Sequence, residues 1–173
     1  MLILDPPKER GVVTLKRGDE IWNYIPRIDR KIKIPSGMMG DAWMGSHFTY
    51  DDMVKESKIE RLYRFTVKEE HGDTVVLQGI PKENAAVVWG KLEYVVEKSR
   101  LIPLLVRYYD EDGTLARTMT FSDVRRVGDR WIPFRLRVEP SHRPGEYTEV
   151  RYEKLELNVL LPRRLFSPAS LGR

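Results

Sequence analysis

The sequence contains no cysteine, which removes disulfides, iron–sulfur clusters, thiolate zinc sites and cysteine nucleophiles together. It has no long apolar run either: nothing approaches the ~18 uninterrupted apolar residues that a membrane-spanning helix needs. At the N-terminus the apolar stretch Met1-Leu2-Ile3-Leu4 gives way at once to Asp5-Pro6-Pro7-Lys8-Glu9-Arg10. A secretory signal requires a basic stretch and then ~7–15 apolar residues, so no signal peptide is read in this chain. Histidine is scarce, and His47, His71 and His142 have no partner at the i, i+4 spacing of zinc-binding helices. Neither charge sign dominates: 30 basic against 26 acidic residues leave +4, too little to imply nucleic acid unless it is concentrated on one face.

What is present is the composition of a globular chain: 41% hydrophobic and 32% charged over 173 residues. That length points to a single domain over 1–173 with room for a sizeable core. The strongest pattern is a period of two. Ile132, Phe134, Leu136 and Val138 alternate with Pro133, Arg135 and Arg137; Tyr63, Phe65 and Val67 alternate with Leu62, Arg64 and Thr66; Trp22 and Tyr24 lie opposite Ile21 and Ile25. Such alternation marks half-buried strands. Turn signals punctuate it at Gly18-Asp19, Gly72-Asp73, Asp112-Gly113, Gly128-Asp129 and Pro144-Gly145. Strands are predicted near 11–16, 20–25, 28–34, 60–68, 73–80, 87–97, 103–110, 114–123, 131–139 and 146–158. The fold class is therefore mainly β, an antiparallel meander with little helix. Residues 35–58 break the pattern with Gly37, Gly40, Gly45 and four of the six methionines. Thr49 and Asp52 have capping-box spacing for a short helix there. The tail 162–173 reads as irregular.

The chemistry of an enzyme is missing. No G-x-S-x-G, P-loop or dinucleotide fingerprint occurs. The carboxylates fall in turns or on polar strand faces, so no catalytic residue, metal or cofactor is assigned. Arg125, Arg126, Arg130, Arg135 and Arg137 form a basic group that could track phosphates. The interleaved Glu139, Glu149, Glu153 and Glu156 are explained equally by cross-strand ion pairing, and nucleic acid is not favoured as a partner. Large apolar side chains are the surplus. Runs such as Val75-Val76-Leu77 and Leu104-Leu105-Val106 are apolar on both faces, as in a sheet that curls on itself or meets something else.

Two stretches are distinctive: Gly18-Asp19-Glu20-Ile21-Trp22-Asn23-Tyr24-Ile25-Pro26 and Met44-Gly45-Ser46-His47-Phe48-Thr49-Tyr50-Asp51-Asp52. With Tyr108-Tyr109-Asp110-Glu111-Asp112-Gly113 and Trp131-Ile132-Pro133-Phe134-Arg135, they make residues 5–166 resemble the outer membrane lipoprotein-sorting protein family, a LolA-like group. The resemblance implies a curved antiparallel sheet or incomplete β-barrel, apolar on its concave side, with a short helix and loop as lid. It implies a non-enzymatic carrier or chaperone, periplasmic, that binds lipoprotein acyl chains or another lipid, with an envelope transporter as a partner. Under that reading the cavity face carries Trp22 and Tyr24, continued by Phe134 and Leu136, and the lid supplies Met38, Met39, Trp43, Met44 and Phe48. Family members begin earlier than this chain, so the N-terminal part of the family fold is expected to be missing. An exposed edge at residues 2–16 would then invite a homo-oligomer. The rival reading is a lipid-free protein-interaction or sensor module of an envelope or exporter system.

Overall fold

The structure is a computed structural model that describes residues 1–55 and 58–172. The chain forms two compact units. One comprises Met1–Ala42, Thr49–Ser57 and Val159–Arg173; the other comprises Trp43–Phe48 and Lys58–Asn158.

The first unit is built on a three-stranded antiparallel sheet of β1 (Val13–Arg17), β2 (Glu20–Ile25) and β3 (Arg30–Lys33), in that order. The predicted strand at 28–34 starts later because Pro26–Ile28 forms a 3₁₀ turn and Asp29 takes a left-handed φ of 47°. Residues 1–3 run along the side of β1 away from β2, with Ile3 N–H donating to the Val12 carbonyl at 2.9 Å and Leu2 bridging Val13. Within the stretch 2–16 expected to form an open edge, residues 1–3 thus pair with the start of β1. Helix α1 (Tyr50–Lys55) starts with the predicted capping box: Thr49 N–H donates to Asp52 Oδ2 at 2.7 Å and Asp52 N–H to Thr49 Oγ1 at 3.1 Å. Ile21, Leu15, Tyr50, Val54 and Leu171 are buried. Buried polar groups are joined across this core, Thr14 Oγ1 donating to Asn23 Oδ1 at 2.8 Å and Asn23 Nδ2 to the Tyr50 hydroxyl at 3.0 Å.

The second unit opens with the short helix α2 (Ile59–Leu62) and continues as seven strands: β4 (Tyr63–His71), β5 (Thr74–Pro81), β6 (Lys91–Glu97), β7 (Ile102–Tyr109), β8 (Leu115–Val127), β9 (Arg130–Pro140) and β10 (Thr148–Arg151). The order β10-β9-β8-β7-β6-β5-β4 is a plain meander in which every strand pairs with its sequence neighbours, all antiparallel. The fold is mainly β, and the sheet is open, with β4 and β10 as its outermost strands. The last strand is shorter than the predicted 146–158. Three hairpins share one turn chemistry. Gly18, Gly72 and Gly128 have φ of 59°, 56° and 63°, each followed by Asp, and the flanking residues pair as Arg17↔Glu20, His71↔Thr74 and Val127↔Arg130. A glycine with positive φ at the first central position suits the II′ turn, whose twist matches that of the strands.

Register gives this sheet two chemically different faces. One cross-strand row reads Val67, Leu77, Tyr94, Val106, Met119, Val138 and Thr148. The neighbouring row on the opposite face reads Thr66, Gln78, Glu93, Arg107, Thr118 and Glu139. The core of the unit is on the first face: Tyr63, Leu92, Val106, Tyr108, Met119 and Val138 are buried together.

On the second face the buried carboxylate of Glu93 is held by Lys68 Nζ at 3.0 Å and the Tyr109 hydroxyl at 2.9 Å, with Lys91 and Arg107 each at 3.8 Å. Lys68 is the extra residue of a bulge between Val67 and Glu69. Burial alone would push the Glu93 carboxyl up, but the hydrogen bonds from Lys68 and Tyr109 and the positive charges of Lys68 and Lys91 outweigh it and hold the group below its ordinary value.

Two outcomes are expected. Leu92 is fully buried, so Leu92→Ala should cost about 2–5 kcal/mol by denaturant titration, the range for a core Leu truncation. A carboxyl with a depressed folded-state pKa stabilises above its unfolded value and loses that contribution as pH falls through the folded one. The stability gap between the native chain and Glu93→Gln should therefore be largest near neutral pH and shrink once pH drops below 4.5. A gap that stays constant from pH 7 to pH 3 would contradict this.

Candidate functional site

The apolar face of the seven-stranded sheet grades from closed to part-covered along β4, β6 and β8. On β4, Tyr63 is buried, Phe65 half-buried and Val67 58% exposed. On β6, Leu92 is buried and Tyr94 half-buried; on β8 and β9, Met119 and Val138 are buried while Phe121 and Leu136 are half-buried. Phe65 lies over Gly79, its cross-strand partner, where a Cβ would be 2.6 Å from the ring. It also meets Tyr94 edge-on, with centroids 5.7 Å apart. Phe65, Tyr94, Phe121 and Leu136 thus continue the core into a half-covered apolar surface that is aromatic and preformed.

Arg117 is a cation on this apolar face. Its register row reads Phe65, Gly79, Leu92, Tyr108, Arg117 and Pro140, and the residue is buried. The guanidinium carbon stacks 4.2 Å from the Tyr108 ring and 4.5 Å from the Trp89 ring, and Nη1 donates to the His47 carbonyl at 2.7 Å. Cation–π contact and a charge-assisted hydrogen bond make burial of a guanidinium tolerable. The segment Trp43–Phe48 is fixed over this end of the sheet by that bond and by β10. His47 N–H donates to Thr148 Oγ1 at 3.0 Å, the His47 ring Nδ1 lies 2.9 Å from the same oxygen, and Nε2 lies 3.5 Å from Glu146 Oε2. The segment is tight: Trp43 N–H donates to the Phe48 carbonyl at 2.7 Å, and Met44 and Gly45 have φ of 50° and 70°. Phe48 packs on the sheet core.

The residues expected at a cavity are distributed between the two units. Phe48 and Leu136 meet the same core, and Trp43 and Met44 are half-buried in the same unit. Phe134 is buried on β9 between the Tyr152 ring, edge-on at 6.2 Å, and the Arg125 guanidinium at 4.6 Å. The other four belong to the first unit. There Ile21 and Asn23 take the buried positions of β2, while Trp22 and Tyr24 are half-buried. Trp22 Nε1 donates to Glu20 at 3.4 Å, and the Tyr24 hydroxyl donates to Asp29 at 3.1 Å. Met38 is exposed and Met39 half-buried.

Sequence reasoning did not single out Phe65, Tyr94, Phe121 or Arg117 as site residues. The signal for Arg117 was parity: it is in phase with Met119 and Phe121 on a strand whose alternate positions are Thr118 and Thr120. The basic group of β8 and β9 is largely paired. Arg125 Nη2 contacts Asp123 at 2.6 Å, Arg137 contacts Glu139 at 3.0 Å and Arg135 contacts Glu149 at 3.6 Å. Among the described residues, no group of three or more His, Asp or Glu is placed to hold a metal ion.

A family model whose description reads "-like: Uncharacterized protein" matches residues 1–173. None of the curated proteins compared with the chain matches it. Among solved structures, a domain from Vibrio parahaemolyticus described as an outer membrane lipoprotein-sorting protein is 25% identical, with a TM-score of 0.85 over 99% of this chain and 76% of its own. A DUF1329 family protein from Desulfovibrio piger is 22% identical, with a TM-score of 0.87 over 98% of this chain and 75% of its own. A LolA superfamily protein from Nitrosomonas europaea is 20% identical, with a TM-score of 0.77 over 96% of this chain and 74% of its own.

Proposed function

Because the chain belongs to this LolA-like family, we propose that it is a non-enzymatic lipid carrier of the periplasm whose sheet takes the acyl chains of a lipoprotein, or of another lipid, on its apolar face. The observation that carries the reading is the half-covered apolar surface of Phe65, Tyr94, Phe121 and Leu136 beside a closed core. Its delivery would involve an envelope transporter as donor or acceptor.

The mechanism needs no covalent step. Each buried methylene of an acyl chain contributes about 0.8 kcal/mol. The segment Trp43–Phe48 is held on its polar side by the Arg117 bond and the Thr148 contacts of His47, each worth on the order of 1 kcal/mol net. Burial of about four methylenes would therefore offset the loss of these three hydrogen bonds, and further methylenes would take the place of the Phe48 ring on the core. A chain can enter by displacing Phe48, and the cover can re-form when the cargo leaves. The half-buried apolar surface offers area without close shape complementarity, which suits a carrier that must also release.

The test uses two exposed neighbours on β4 that point to opposite faces, Val67 and Thr66. A fluorescent sixteen-carbon fatty acid is titrated into the full chain and into Val67→Asp and Thr66→Asp. Val67→Asp should weaken probe binding about tenfold, as a charge facing the acyl chain must be desolvated, while Thr66→Asp should leave it unchanged with equal thermal stability. Absence of probe binding to the native chain, or equal effects of the two substitutions, would overturn the carrier reading.

A further inference from the structure

The segment Val159–Phe166 exposes more apolar side chain than any internal requirement of the first unit explains. Leu160 is 97% exposed, Leu161 57%, Leu165 54% and Phe166 45%. Arg163 and Arg164 lie between these residues and are exposed as well. From Val159 to Arg173 the sequence has no Asp or Glu.

The segment is nevertheless held. A 3₁₀ turn spans Arg163–Phe166, with Leu165 N–H donating to the Pro162 carbonyl at 3.0 Å and Ser167 N–H to the Arg164 carbonyl at 3.3 Å. The turn packs against β1. Beyond it Leu171 is buried, and Gly172 lies so close to the Tyr24 ring that a Cβ there would be 2.6 Å away. Beside the turn an open groove of about 370 Å³ is lined by Arg164, Leu165, Ser167, Ala169 and Ser170. The apolar side chains are therefore displayed from an anchored platform, with a cation and serine hydroxyls at its side.

We propose that Val159–Phe166 is a docking surface for a bilayer containing anionic phospholipid, with the leucines and Phe166 entering the headgroup–acyl boundary and Arg163 and Arg164 meeting lipid phosphates. Charge complementarity selects this occupant. In a two-fold contact between copies the same patch faces itself, which would bring the two arginines against their own kind with no carboxylate in the segment to pair them. A bilayer supplies both things the patch lacks, apolar depth and negative charge. Arginine beside exposed leucine suits the interface because its stem lies along apolar surface while its head stays with the phosphates. The inference does not use the sheet face of the carrier reading and stands or falls separately from it.

The experiment is co-sedimentation of the full chain with vesicles of phosphatidylcholine alone and of phosphatidylcholine mixed with phosphatidylglycerol. Binding is expected to the mixed vesicles only and to fall as salt is added. An arginine near an anionic surface is worth about fivefold in binding, so Arg163→Gln with Arg164→Gln should lower the partition roughly 25-fold. Leu160→Ser with Leu161→Ser should also abolish sedimentation. All four positions are exposed, so unchanged thermal melts serve as the folding control. Val67→Asp should sediment like the native chain, which separates this surface from the fatty-acid site. Equal binding to both vesicle types, no binding, or insensitivity to the substitutions would overturn the proposal. So would self-association without vesicles that Leu160→Ser and Leu161→Ser dissolve, because the patch would then be a contact between copies.

Discussion

The second unit depends on the register of one uninterrupted antiparallel meander. Side chains of a strand alternate between faces, so a one-residue slip would exchange the two faces entirely. With the pairing as it is, Val67, Leu77, Tyr94, Val106, Met119 and Val138 lie side by side, and Glu93, Arg107 and Glu139 lie behind them. The ionic contacts of Glu93 and the packing of Tyr63, Leu92 and Val138 are two consequences of that single alignment. The Gly-Asp turns help to hold it, since a two-residue loop leaves each hairpin only one way to close.

Arg117 is where the sheet departs from its own rule. A cation on the apolar face must be desolvated, and that cost is offset by the Tyr108 and Trp89 rings and by the His47 carbonyl. What the arrangement provides is a directional attachment for Trp43–Phe48 on a surface that otherwise offers only non-directional contact. Polar attachment at one end and half-exposed aromatics at the other divide the face into a covered core and an open apolar margin, the division on which the carrier reading draws.

The first unit uses different physics at smaller scale. β3 is exposed at every position, and the chain Thr14–Asn23–Tyr50 ties β1, β2 and α1 together by hydrogen bonds in the buried interior. Satisfied buried polar groups of this kind specify one arrangement more than they add stability. The terminal segment is held to the same unit through Leu171 and Gly172, leaving Leu160 and Leu161 outward.

The sequence by itself determined the strands, the turns and the class. Period-two alternation marked ten strands, Gly-Asp pairs marked hairpins, and Thr49 with Asp52 marked the start of a helix, because each of these is a contest among residues close in the chain. The likeness to LolA-like proteins was also legible, in motifs such as Gly18–Pro26. Only the tertiary structure decided which face is buried and what covers it. Trp22 and Tyr24 alternate with Ile21 and Asn23 in the sequence, and it is Ile21 and Asn23 that take the buried positions of β2 while Trp22 and Tyr24 are half-buried. The stretch 35–58 read as one lid, yet Trp43–Phe48 packs with the sheet while Met38 and Met39 belong to the other unit. Arg117 and His47 meet across 70 residues. Alternation states that a strand has two sides, but which side is inside is decided by partners that arrive from far along the chain.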